Sequence, residues 1–113
     1  MKTDLSYLLK LTEGNVEMIQ EMVGIFYEQV DEFTEGLQSA LTEKNWDRLS
    51  KVAHKAKSSI SVMGMMDTAE KCRNLELFAA EQKEIESYPE LVRTIITDLG
   101  SAVEELKMQL AKM

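Results

Sequence analysis

Apolar residues recur at steps of three and four along most of the chain, the spacing of one buried helical face. The longest stripe is Val16, Ile19, Met22, Val23, Phe26, Val30, Phe33, Leu37 and Leu41, with Glu17, Gln20, Glu21, Glu28, Asp31, Glu32 and Glu35 opposite. It predicts a helix from Val16 to about Glu43, roughly 40 Å long at about 1.5 Å per residue. Leu49, Val52, Ala53, Ala56, Ile60 and Met63 predict a second helix from Trp46 to about Met63. Ala69, Cys72, Leu75, Phe78 and Ala79 mark a third. A fourth carries Leu91, Val92, Ile95, Ile96, Leu99, Ala102, Val103, Leu106 and Leu110. A shorter amphipathic piece at residues 4–11 is too small to stand alone and must lie on the others.

Polar punctuation falls between these stripes. Thr3, Asn15, Asn45 and Ser87 stand where N-caps belong, and Asp67-Thr68-Ala69-Glu70 resembles a capping box. Pro89, the single proline, fits the first turn of the last helix, and Gly64 fits a C-terminal cap. Gly24 and Gly36 sit off the main stripe, as sites of a bend or of close packing. Trp46 is expected to anchor the start of its helix. Nothing reads as a strand. The pattern predicts an all-α fold: an antiparallel four-helix bundle with a short extra N-terminal helix capping one end.

Composition narrows the function. A chain of 113 residues, 44% hydrophobic and 29% charged, reads as one globular domain spanning 1–113. No apolar run approaches the roughly 20 residues that span a bilayer, and Met1-Lys2-Thr3-Asp4 is no signal region. A cytoplasmic, free-standing monomer is expected. The net charge of -7 argues against nucleic acid. One histidine and one cysteine cannot build a multi-ligand zinc site. Cys72 sits at core spacing and reads as packing. No glycine-rich phosphate loop is visible, so no nucleotide site and no cofactor of the chain's own is expected. Met63, Met65 and Met66 read as core filling at an irregular helix end.

The candidate chemistry lies on the second long helix. His54 falls off its apolar stripe, with Ser50, Lys51, Lys57 and Ser58 as helical neighbours and Ser61 one turn further on. No acidic residue occurs from Arg48 through Met66, although the chain holds 20 Asp plus Glu. Small neighbours leave an imidazole open to a large partner, and lysines favour an anion beside it. Histidine side chains titrate near pH 6.5, so a neutral, nucleophilic form is available at pH 7.

Ala53-His54, Lys57 three residues on, small residues after it and Gly64 ten residues on resemble the signature of histidine phosphotransfer (HPt) domains. Cys72-Arg73-Asn74-Leu75-Glu76 is similar to the Cys-x-x-Leu-Glu that follows in that family. One departure is Ser58, where the family usually has glycine. The resemblance implies a phosphorelay intermediate. His54 would accept a phosphoryl group from a receiver-domain aspartate and pass it to another receiver, with Lys57 stabilising the phosphate. Lys51, Ser58, Ser61 and Gly64 would support the site. The implied partners are receiver domains of a hybrid histidine kinase or a response regulator, which would carry the Mg²⁺. The alternative is a bundle that only binds partners and performs no phosphotransfer.

Overall fold

Two asparagines set the starts of the helices that frame the site. The Asn15 side chain accepts from the Met18 N–H at 3.1 Å, and Asn45 accepts from the Arg48 N–H at 3.1 Å. Each satisfies one of the donors that a helix start leaves without an intrahelical partner. The computed structural model describes residues 2–113. Its helices are α1 (Ser6–Thr12), α2 (Val16–Thr42), α3 (Trp46–Val62), α4 (Met66–Glu81) and α5 (Tyr88–Ala111), with a 3₁₀ turn at Ile85–Ser87 leading into α5. No strand occurs among the described residues. None of these helices is long and apolar enough to cross a membrane.

The four long helices form the antiparallel bundle that the stripes predict, with α1 laid on α2. Each long helix packs on its neighbour in the chain, and α5 closes the ring against α2. The molecule extends 43 × 20 × 19 Å, so the 27-residue α2 sets its long axis. The core residues include Ile19, Val23, Phe26, Leu37, Leu49, Ile60, Leu75, Ile95, Leu99 and Leu106. Val16 ends up exposed, and Leu91, Ile96, Val103 and Leu110 are only partly covered at the margins of the α5 stripe. Gly36 is the close-packing site. A Cβ there would stand 3.2 Å from both Val52 methyls.

One end of the bundle is pinned by Tyr88. Its ring is fully buried and meets Trp46 edge-on, with centroids 5.1 Å apart, so Trp46 does anchor the start of α3. The Tyr88 hydroxyl lies within reach of the Phe78 and Lys83 carbonyls, which ties the end of α4 to α5. At the other end, the backbone N–H of Asp4 donates to the Met63 carbonyl at 3.0 Å. There Gly64 has φ +75°, and an added Cβ would lie 2.2 Å from the Asp4 carbonyl oxygen. Glycine is required at this turn twice over, by its left-handed backbone and by the strand of chain passing across it.

Several hydroxyls assigned to caps have other partners. Thr3 is buried and caps nothing, because its Oγ1 bonds Glu105 on α5; Asp4 serves the start of α1 instead, through Oδ1 and the Ser6 N–H at 2.9 Å. α4 begins one residue before Asp67, at Met66, with no side-chain cap. Asp67 therefore lies inside the helix and the capping box does not form; the Thr68 hydroxyl beside it donates inward to Asp98 at 2.9 Å. Ser87 does not cap α5; its Oγ donates to the Glu84 carbonyl inside the 3₁₀ turn. Met63 and Met65 fill the core as expected, but Met66 is exposed.

Asp98 is the one acidic side chain sunk into the bundle among the described residues. Burial works against its ionisation, yet hydrogen bonds from Lys71, Lys2 and Thr68 outweigh it and hold the carboxyl below the ordinary aspartate range. Lys71 Nζ stands 2.7 Å from Oδ2 and Lys2 Nζ 3.0 Å from Oδ1.

Two stability measurements check this account. Gly64→Ala should cost roughly 2 kcal/mol or more in urea unfolding, since a left-handed non-glycine residue and a displaced Asp4 are both forced. A depressed folded-state pKa makes the Asp98 contribution fully present above the unfolded pKa and lost as pH falls through the folded one. Asp98→Asn should therefore lower stability at pH 7 by about 1–3 kcal/mol. It should also flatten the fall in stability between about pH 5 and about pH 2.

Candidate functional site

α3 and α4 bury small residues, Ala53 and Ala56 on one and Ala69, Cys72 and Ala79 on the other, so their backbones can run close. The Ser50 hydroxyl donates to the Glu76 carbonyl at 2.8 Å, which fixes the register between the two helices. His54 is the ninth of the 17 residues of α3, and its side chain is 61% exposed. Glu76, half-buried on α4, reaches across to it: His54 Nδ1 and Glu76 Oε2 are 2.7 Å apart. The other carboxylate oxygen, Oε1, accepts from Lys57 Nζ at 3.0 Å.

Glu76 changes the electrostatics expected of this face. The run from Arg48 to Met66 is free of acid along the chain, but α4 delivers a carboxylate into its centre. Burial opposes ionisation of Glu76; hydrogen bonds and charge from Lys57 and His54 outweigh it and hold the carboxyl below the ordinary glutamate range. An ionised carboxylate only accepts, so the 2.7 Å contact requires that His54 Nδ1 carry its proton. In the neutral ring the lone pair then sits on Nε2, the nitrogen away from Glu76 and on the exposed side chain. Pairs of this exposure stabilise a fold by only about 0–1 kcal/mol. The arrangement therefore matters for orienting the ring more than for holding the bundle together.

The remaining candidate residues take varied places. Lys57 is beside His54 but engaged by Glu76. Lys51 pairs with Asp47 at 3.0 Å, one turn away from the ring. A shallow hollow lined by Ser50, Lys51, His54, Lys55 and Glu76 lies against the imidazole. Ser58 is exposed on the same side of α3, while Ser61 turns its hydroxyl back to the Lys57 carbonyl at 2.8 Å. Gly64 lies at the end of the helix, under Asp4, and acts on the turn rather than on the ring. Cys72 is buried, and burial pushes its thiol up to about 12, so it adds no nucleophile. No cluster of three or more metal-ligating side chains occurs among the described residues.

Glu76 is a site residue that the sequence does not single out. The signal for it was the Cys-x-x-Leu-Glu run, whose final residue is Glu76, but the sequence alone attached no role to it.

The four-helix bundle thus carries an imidazole exposed at mid-helix, with an ammonium one turn along α3 and a carboxylate reaching across from α4. The model of the Hpt domain family matches residues 21–112, and the chain belongs to that family. Its function is histidine phosphotransfer as an intermediate of a phosphorelay. In fold it is similar to the histidine-containing phosphotransfer protein B (HptB) from Pseudomonas aeruginosa PAO1, with a TM-score of 0.88 at 22% identity over 99% of this chain and 96% of that one. Comparison with the sequences of curated proteins gave no match.

The tautomer can be read directly. Nitrogen-15 NMR of the neutral imidazole should show the proton on Nδ1 in the wild type, and a mixture moving toward the Nε2–H form in Glu76→Ala. Equal tautomer populations in the two proteins would remove Glu76 from the account.

Proposed function

We propose that His54 is the phosphoryl carrier and that Nε2 is the atom that takes the group. The observation that carries this is the 2.7 Å contact that commits Nδ1 to Glu76, so that in the neutral ring the lone pair lies on Nε2. In the accepting direction Nε2 attacks the phosphorus of a receiver-domain phosphoaspartate. The N–P bond forms, the O–P bond breaks, and the aspartate leaves as a carboxylate. Nδ1 keeps its proton throughout, so the ring becomes a phosphorylated imidazolium whose positive charge faces Glu76. Donation to a second receiver runs the same steps backwards. No proton has to be moved in either direction.

Lys57 serves the phosphoryl oxygens. Phosphoryl transfer depends mainly on positioning and on charge stabilisation, and Lys57 Nζ sits on the carboxylate that orients the ring. When the phosphoryl group arrives, Lys57 can turn from Oε1 to a phosphate oxygen. Lys51, Lys55 and Arg48 add positive field, and Ser58 keeps the approach narrow but open. The acidic pocket, the aspartate and the Mg²⁺ belong to the partners, which we assign as receiver domains of a hybrid histidine kinase and of a response regulator. The reading takes the chain as a cytoplasmic monomer in this exchange.

Incubation with a phosphorylated receiver domain tests the assignment. Wild type should acquire acid-labile, base-stable phosphate, and His54→Gln none. Lys57→Gln should slow transfer by about 10- to 100-fold, the kinetic equivalent of one charge-assisted hydrogen bond. Labelling of His54→Gln at the wild-type level would defeat the proposal.

A further inference from the structure

The segment ahead of α2 is attached to the bundle in an unusual way. Residues 2–12 lie outside the stretch that matches the family model. α1 has seven residues, too few to be stable as a helix on its own. It joins α2 through Glu13 and Gly14, both with left-handed backbone at φ 54° and 77°, a two-residue joint able to absorb a change in direction. Leu5 and Leu8 are its buried apolar contacts. The far end is held by polar groups. The backbone N–H groups of Lys2 and Thr3 donate to Glu105 Oε1 at 2.8 and 3.1 Å, and Lys2 Nζ pairs with Asp98. Asp98 keeps Lys71 and Thr68 as partners when Lys2 leaves, so detachment strands no buried charge. Glu105 is only part-buried and can turn to water.

We propose that residues 2–12 form a latched arm that opens as a unit about Glu13–Gly14 while α2–α5 stay folded. The arm also walls one side of an apolar groove made by Ser6 and Tyr7 with Ser61, Val62 and Met66. Ser61 is two turns from His54 on α3, so the groove borders the phosphotransfer face. Opening removes Tyr7 from that wall and frees the Met63 carbonyl that Asp4 holds. The latch thus governs how much surface beside His54 a receiver domain can cover. Only this last step rests on the assignment of His54; the opening itself does not.

Amide hydrogen exchange decides the first half. Residues 5–12 should exchange well ahead of the protected amides of α2–α5. In Glu105→Gln they should exchange about tenfold faster still, and in Lys2→Ala, which removes only the Asp98 ion pair, a few-fold faster, with core protection unchanged. Lys2 is exposed, so its variant folds even if Glu105→Gln does not. High salt should bring wild type toward the variants. Exchange of residues 5–12 only together with the core, or at the wild-type rate in both variants, would overturn the arm. Transfer from a phosphorylated receiver domain decides the second half. The opened variants should show a several-fold higher KM for the receiver, while direct labelling of His54 by phosphoramidate stays at the wild-type rate. Faster exchange with an unchanged KM would overturn the control of docking and leave the His54 assignment standing. Loss of phosphoramidate labelling in the wild type would strike that assignment instead.

Discussion

A carboxylate shared between an imidazole and an ammonium governs this molecule. Glu76 takes a hydrogen bond from His54 on one oxygen and from Lys57 on the other, and all three side chains are held there by the packing of α3 on α4. The two donors are neighbours on a single helical turn, but the carboxylate comes from a separate helix. Its position depends on small residues between the helices and on the Ser50 hydroxyl that fixes their register. A slip of one residue along α4 would carry Glu76 to another face and leave the imidazole free to rotate. The bundle core, remote as it looks from the chemistry, is what makes the ring directional.

Much of this is legible in the sequence. The four long stripes became four helices with boundaries within a few residues, because period-3.6 patterning over so many turns has no competing solution. Asn15 and Asn45 capped as expected because they stand in exposed loops with no tertiary suitor. Thr3 did not, for the opposite reason, and Ser87 did not because its hydroxyl closes a turn within its own segment. Thr3 meets Glu105, Thr68 meets the buried Asp98, and Ser87 closes a 3₁₀ turn. For Thr3 and Thr68 the choice of a distant partner is made by residues 102 and 30 positions away, and no local pattern records it. Met66 shows the same limit: three methionines at a helix end look alike in sequence, and only the turn geometry decides which faces out.

The site was legible on one helix and hidden across two. His54 off the apolar stripe and Lys57 one turn on are properties of α3 alone. The absence of acid between Arg48 and Met66 was a true statement about the chain and a misleading one about space, since Glu76 is brought in by tertiary packing. Lys51 was grouped with the ring by spacing, yet Asp47 claims it from the preceding turn. Each of these outcomes follows from where the nearest opposite charge lies in three dimensions.

The burial of Cys72 has a practical corollary. Its thiol lies under the α3–α4 packing and titrates near 12, so almost none of it is thiolate at neutral pH. Alkylating reagents and mild oxidants should pass it by. The native chain is thus already a silent background for site-directed labelling: a cysteine engineered onto the surface would be the sole reactive sulfhydryl, and a spin label or fluorophore could be placed there without first removing anything.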